Sequence, residues 1–187
     1  MNVREAKVEF INRTKKGVVM FYVGTIYWLL LGLLSLFDIN IKLLGICYLV
    51  GAGMLFPLGI MVSKLLNIDF IAKGNPFSNI AGVLGGMQIL FAPILILVFI
   101  EHIEWLPFFI AILTGAHFLP FTALHNSKGY IFQSLGVVLY TSVIGFPFME
   151  QIYNILPFGL SLIYFLTCLI ITKEITQSAK VPKVKSL

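Results

Sequence analysis

Charged residues are scarce in this sequence of 187 residues. Asp, Glu, Lys and Arg make up 11% of it, whereas hydrophobic residues make up 59%. A soluble domain typically has about 25% charged and about 45–50% apolar residues. So few charges could not cover this much apolar surface in water, and the mean hydropathy is +0.98. The composition therefore excludes an ordinary soluble domain and predicts one compact membrane domain.

Groups that carry chemistry are also few. The two cysteines, Cys47 and Cys168, form neither a C-x-x-C motif nor a zinc pattern. We place them at depths that differ by roughly 15 Å, so we expect no disulfide between them. No H-E-x-x-H motif occurs, and the carboxylate-rich segment Glu101–Glu104 is interpreted as a solvated turn. We predict no metal and no cofactor.

Catalytic signatures are incomplete. Ser161 lies two residues after Gly159 but lacks the second glycine of a nucleophile elbow, and nothing in the sequence orients His117 as its base. An intramembrane enzyme is therefore the least favoured class, and we predict no catalytic residues. The basic residues form no continuous stripe, which argues against nucleic-acid binding.

Long apolar runs dominate what remains. Six runs reach about 20 residues, the length of a spanning helix, and none contains Asp, Glu, Lys or Arg. Helix is the only plausible state for such runs, because a barrel would need many short alternating strands. We predict an all-α bundle with a basic tail over residues 1–16, six spans within residues 17–172 and a second basic tail over residues 173–187. The spans are Gly17–Phe37, Leu43–Val62, Ile80–Ile100, Trp105–Leu124, Tyr130–Met149 and Asn154–Thr172.

Basic residues set the orientation. With six spans, the two tails and the second and fourth connections share one side, which carries twelve of the thirteen Lys and Arg residues. The other side has only Lys42, together with Asp38, Glu101, Glu104 and Glu150. Because basic loops stay inside, we predict that both termini are cytoplasmic.

Two cytoplasmic segments have alternative interpretations. The N-terminal tail places Val3, Ala6 and Phe10 at helical spacing, which fits either a helix resting on anionic headgroups or a solvated tail. The connection Ser63–Asn79 alternates apolar and charged residues, which predicts a short interfacial helix ended by a turn at Gly74–Pro76. It is either a plain connector or a substrate gate.

Polar residues inside the spans form a predicted layer. Counted from the cytoplasmic ends, several of them lie roughly 10–15 Å deep. His117 titrates near neutral pH, and an ionisable group in a membrane usually faces the bundle interior. The layer is either structural hydrogen bonding or a substrate or proton site. Its candidate residues are His117, Gln88, Tyr140 and Thr114, with Thr25 and Tyr164 at similar depth.

Small residues in the third span predict helix packing. Ala81, Gly85, Gln88 and Ala92 share one helical face, and Gly82 and Gly86 form a G-x-x-x-G pair beside it. Small side chains allow helix backbones to approach closely. We expect this face to contact a neighbouring helix.

The run Gly115–Phe121, with its sequence Gly-Ala-His-Phe-Leu-Pro-Phe, occurs together with six spans and basic tails. In these features the chain resembles a family of uncharacterised bacterial membrane proteins, known only as a domain of unknown function. The resemblance implies a bacterial plasma membrane and no assigned activity.

Two functions remain open. The first is a transporter or permease for a small, neutral or weakly polar solute; the lack of carboxylates in the spans argues against a strongly proton- or sodium-driven pump. The second is a non-catalytic membrane subunit or lipid-interacting protein. The partners expected are membrane lipids, with a small solute, a second copy or another membrane protein as open alternatives, and no nucleic acid.

Overall fold

The computed structural model describes residues 2–180, and within them the chain forms helices and turns but no β-strand. Four stretches of helix are long and apolar enough to cross a membrane: Val3–Leu34, Ile41–Leu65, Pro76–Glu101 and Met149–Ser178. The predicted all-helical fold with membrane-type helices is confirmed at this level. In chain order the helices are α1 (Val3–Thr14), α2 (Val18–Leu34), α3 (Ile41–Leu65), α4 (Pro76–Gly86), α5 (Ala92–Glu101), α6 (Leu106–His117), α7 (Phe121–His125), α8 (Lys128–Gly145) and α9 (Ile152–Lys180).

The N-terminal segment is a folded helix and not a solvated tail. Asn2 and Glu5 form a capping box at the start of α1. Ala6 and Phe10 are buried, and Phe10 packs with Ala72 and Leu124. The alternative of a solvated tail is therefore wrong: Ala6 and Phe10 face the protein, and only Val3 of the apolar stripe stays exposed.

The connection between α3 and α4 contains no helix, contrary to the predicted interfacial helix. Asn67 and Ala72 have positive φ angles of 54° and 49°, which interrupt any helical run. The Asp69 carboxylate accepts from the Ala72 amide at 3.0 Å and also pairs with Arg13. These bonds replace the backbone bonds of a helix. The turn predicted at its end is present, with Gly74 at φ 87° and Asn75 capping α4.

Prolines move the ends of the predicted spans. The fourth run is helical to His117, passes through a turn that contains Pro120 and resumes as α7. The third run is interrupted by a 3-10 segment, Met87–Phe91, which ends two residues before Pro93. The fifth ends at Gly145, before Pro147. Proline removes a backbone donor and clashes with the preceding turn, so the helix breaks or tightens there.

The core lies between α2, α8 and α9, with α3 and α6 packed against it. Its largest fully buried side chains include Trp28, Tyr48 and Tyr164. Glycines permit close packing there: a Cβ on Gly24 would clash with the Tyr164 ring, and one on Gly51 with the Tyr27 ring. Aromatic side chains fill the centre of the bundle.

Contacts at the two ends show which connections lie together. At one end Arg13 pairs with Asp69 at 2.7 Å, and Lys16 pairs with Glu174 at 2.8 Å. At the other end the Tyr153 hydroxyl donates to the Ile103 carbonyl at 2.7 Å. Helix α9 continues past the predicted boundary at Thr172, which brings Glu174 into the folded bundle. Lys183 and Lys185 of the predicted C-terminal tail lie outside the described residues.

Candidate functional site

Three of the four predicted site residues lie close together. The Gln88 amide donates to the Thr114 hydroxyl at 3.2 Å and links the third apolar stretch to α6. His117 follows Thr114 by one helical turn and is 7% exposed. Its ring has Phe91, Phe118 and Phe121 at centroid distances of 6.5, 5.9 and 5.4 Å. The histidine thus sits among aromatic rings beside a single polar bond.

Tyr140 does not join this group. Its hydroxyl donates to the Ile155 carbonyl at 3.2 Å, and its ring packs on Gly159, both in the first turns of α9. Thr25 is also separate, since its hydroxyl donates to the Phe21 carbonyl within its own helix at 2.7 Å. The predicted polar layer therefore divides into separate local bonds, because the Tyr140 and Thr25 hydroxyls each find a nearby carbonyl.

The small residues of the third stretch do not make the expected close approach. A Cβ added to Gly82, Gly85 or Gly86 would have no atom within 4 Å. Ala81 packs at the edge of the Phe10 cluster, and Ala92 is half-buried. Val98 is the one buried residue of α4 and α5 in the described chain. The tight glycine contacts lie elsewhere, in the core.

The serine, cysteine and histidine residues that the sequence also offered as candidates make structural contacts or stay separate. Ser161 donates to the Thr25 carbonyl at 3.0 Å, and both cysteines are free. His102 stacks on Trp105 in an exposed turn. Among residues 2–180 no group of three or more metal-ligating side chains comes together.

A buried ion pair lies where the two ends of the chain meet, and the sequence reasoning did not find it. The Lys16 ammonium contacts the Glu174 carboxylate at 2.8 Å and donates to the Asn126 carbonyl at 3.0 Å. The Glu174 carboxylate also accepts from the backbone amides of Lys128 and Gly129, at 2.9 and 3.3 Å. The Lys16 side chain is only 7% exposed. A buried lysine needs such partners, since an isolated buried charge is costly.

A left-handed turn places Lys16 in this position. Lys15, Lys16 and Gly17 have φ angles of 49°, 52° and 66°, a conformation that is unfavourable for the two lysines. The Tyr130 hydroxyl donates to the Lys16 carbonyl at 2.9 Å. A Cβ on Gly17 would lie 2.6 Å from that hydroxyl, so glycine is required by both conformation and space. The turn directs the lysine inward between α7 and α9.

His125 packs beside this pair. Its ring stacks on Tyr130 at 5.1 Å and on Phe10 at 5.3 Å, and its Nδ1 atom has no hydrogen-bond partner among the described residues. Burial, followed by the positive charges of Lys16 and Lys7, lowers the pKa of His125 to about 3. The ring is therefore neutral in the folded protein at physiological pH.

This depressed pKa predicts a pH-dependent stability. Between about pH 6.5 and pH 3 the unfolded chain binds a proton at His125 that the folded protein does not, so stability falls as the pH decreases. The expected slope approaches about 1.4 kcal/mol per pH unit at the acidic end. His125→Phe keeps a stacked ring without titrating and should remove this contribution. Thermal unfolding in detergent between pH 7 and pH 5 tests it, and an unchanged slope in the variant would contradict it.

A cavity of about 480 Å³, open to the surface, lies beside the ion pair, between the α7–α8 turn and the end of α9. Its charged lining comes from Lys16, Lys128 and Glu174, and Asn126, Ser127, Gln177 and Ser178 supply neutral polar groups. Ile131 is its apolar wall and belongs to the exposed face of α8. The polar and charged lining of the cavity is therefore continuous with an apolar helix surface.

One sequence signal could have indicated this site. Glu174 is the only acidic residue after Glu150, and it lies among lysines directly after the last apolar run. An isolated carboxylate at the boundary of a membrane span is expected to pair with a basic residue. Lys16 lies at the predicted cytoplasmic boundary of the first apolar run. The pattern of apolar runs places both Lys16 and Glu174 in the predicted tails.

Comparison with known proteins gives one match. No curated protein and no solved structure matches the chain. A family of unknown function (DUF7010) matches residues 3–174, which include the Gly115–Phe121 run, both partners of the ion pair and most of the cavity lining. The predicted resemblance to an uncharacterised domain family is confirmed. The chain belongs to the family of unknown function (DUF7010).

Proposed function

We propose that this chain is a lipid-interacting, non-catalytic protein of the bacterial plasma membrane, with six membrane-crossing helices and both termini in the cytoplasm. The observation that carries the lipid-interacting role is the cavity beside Lys16, Lys128 and Glu174, which continues through Ile131 onto the exposed apolar face of α8. A lipid has the same division into a polar head and an apolar chain.

The lengths of the fourth and fifth predicted spans support six crossings. Helix α8 has 18 residues, or about 27 Å at the rise of an α-helix. The stretch from the start of α6 to Leu124 is of similar length, and a hydrocarbon core is about 30 Å thick. The end contacts fit alternating helix directions, because the N-terminal segment, the α3–α4 connection, the α7–α8 turn and the end of α9 share one end.

The density of the bundle centre favours this role over transport. Trp28, Tyr48 and Tyr164 fill the space between the helices, and a packed core leaves no obvious route for a solute. One observation favours transport as a second candidate: the Gln88–Thr114 bond beside buried His117, which could contact a weakly polar solute. Uptake into proteoliposomes that depends on pH between about 5 and 8, and that His117→Gln abolishes, would support that alternative.

The orientation predicts a labelling pattern. Single cysteines placed in 38–42 and 101–104, in a variant without Cys47 and Cys168, should react with an impermeant thiol reagent in whole cells. A cysteine at Lys64 or Lys73 should react only after the membrane is permeabilised, because basic connections stay inside. Labelling of Lys64→Cys in intact cells would contradict the proposed orientation.

The lipid-interacting role predicts retained lipid. Protein purified in a mild detergent should carry about one lipid per chain in native mass spectrometry, because a lipid held in a cavity exchanges more slowly than bulk lipid. Leu135→Glu places a charge on the exposed face of α8 and should lower this occupancy strongly. Val83→Glu, on the equally bare face of α4, is the matched control and should leave it unchanged. Equal loss in both variants, or no retained lipid in the parent protein, would contradict the role.

A further inference from the structure

We propose that the cavity binds the phosphodiester group of a phospholipid, with Lys16 and Lys128 as its cationic contacts and the exposed face of α8 as the surface for an acyl chain. The inference rests on the proposed lipid-interacting function and specifies the chemistry of its ligand.

Lys16 is a preorganised cation in this cavity. Its side chain is more than nine-tenths buried and is held by the Glu174 carboxylate and the Asn126 carbonyl. An ammonium group has three donors, and these two contacts use two of them. The third can serve a ligand in the cavity that Lys16 lines. Because this lysine is already fixed, binding does not have to order its side chain, which favours affinity.

The charge balance specifies the ligand. Among the residues that the structure describes, two lysines and one glutamate line the cavity, which leaves one positive charge. Glu174 is occupied by Lys16 and by the amides of Lys128 and Gly129, so it holds the site together and does not offer a free carboxylate edge. A phosphodiester carries one negative charge and balances the remaining cation. A phosphomonoester, with up to two charges, would exceed it.

The surroundings favour a lipid as the source of the phosphate. Ile131, Leu135 and Leu139 are exposed apolar residues four positions apart on α8, and they share the helix face that begins at Lys128. Side chains at this spacing form one continuous strip. Ile131 also lines the cavity, so the apolar strip starts where the charged lining ends. A headgroup in the cavity would place its acyl chain along the strip.

Native mass spectrometry of the detergent-purified full chain tests the inference with three probes. They are dioleoyl phosphatidylglycerol, dioleoylglycerol, which lacks the phosphate, and glycerophosphoglycerol, which has the same phosphodiester but lacks the acyl chains. We expect phosphatidylglycerol to bind at least about tenfold more tightly than dioleoylglycerol, given the attraction of two lysines for one phosphate. Glycerophosphoglycerol should not displace it at equal concentration.

Two variants of Lys128 separate this site from general lipid binding. Lys128→Glu should weaken phosphatidylglycerol binding about tenfold and Lys128→Gln by a smaller factor, while dioleoylglycerol binding stays unchanged. The control is Lys64→Glu, an exposed lysine in the last turn of α3 outside the cavity, which should change neither. Thermal stability of each variant shows that it is folded.

The possible outcomes distinguish a failure of the phosphodiester site from a failure of the proposed lipid-interacting function. Binding of both oleoyl lipids with equal affinity in all variants would overturn the phosphate site and leave the lipid-interacting role standing. Displacement by glycerophosphoglycerol would overturn the lipid source in favour of a soluble phosphodiester. Absence of binding by both lipids would overturn the lipid-interacting role as well.

Discussion

Replacing Glu174 with alanine is expected to destabilise the protein by about 3–5 kcal/mol, because it leaves the buried Lys16 ammonium without its counter-ion. Of its partners among the described residues, the lysine would retain the Asn126 carbonyl alone. The amides of Lys128 and Gly129 would also lose their acceptor at the start of α8. Unfolding of the detergent-solubilised protein by a denaturing detergent measures the change.

The reverse and double substitutions test the cause. Lys16→Met should cost less than Glu174→Ala, because Glu174 keeps two backbone donors. Combining Lys16→Met with Glu174→Leu should recover much of the loss, since a buried ion pair can be replaced by apolar side chains of similar size. Glu104→Ala, in an exposed turn, is the control and should change stability by less than about 0.5 kcal/mol. A cost below about 1 kcal/mol for Glu174→Ala would mean that Lys16 reaches water.

Gly24→Val is expected to cost about 3 kcal/mol, the upper end of the range for overpacked cores. Any Cβ at Gly24 would overlap the ring of Tyr164, which is buried in the core at 1% exposure. Helices α2 and α9 would have to separate, and they form the most extensive contact of the bundle. Folded yield and unfolding in detergent measure the effect.

Gly82→Val is the matched control on the third apolar stretch. A Cβ there meets nothing within 4 Å, so we expect a change of less than about 0.5 kcal/mol. Similar losses for both substitutions would mean that the Gly82 face contacts another protein chain in the membrane. No loss at Gly24 would contradict the close packing of α2 on α9.

The helices were predictable because apolar runs leave the backbone no alternative. In lipid each amide must bond within its own segment, so the runs at 17–37 and 43–62 become α2 and α3 with ends shifted by a few residues. The shift is larger at Pro120 and Pro147, where the hydropathy stays high but the helix cannot continue. Hydropathy alone does not report this local geometry.

Candidate site residues inside the apolar runs were easier to predict than those in the predicted tails. Gln88, Thr114 and His117 stood out because polar groups inside apolar helices need partners, and two of them are bonded to each other. Tyr140 met a nearby carbonyl of α9 instead, which depth along the helix could not indicate. Lys16 and Glu174 are separated by 158 positions, and each looked like an ordinary residue of a tail.

The sequence by itself determined that lipid surrounds much of the chain, that the fold is helical and where most helices lie. These properties follow from hydropathy and from the backbone's need for hydrogen bonds within each segment. Tertiary structure alone decided that α1 packs on the bundle, that the glycines of the third stretch meet no neighbour, and that Lys16 is drawn inward to Glu174. Those outcomes depend on a left-handed turn at 15–17 and on which helix faces meet. Both arise from contacts between residues far apart in the chain, and one-dimensional patterns do not carry that information.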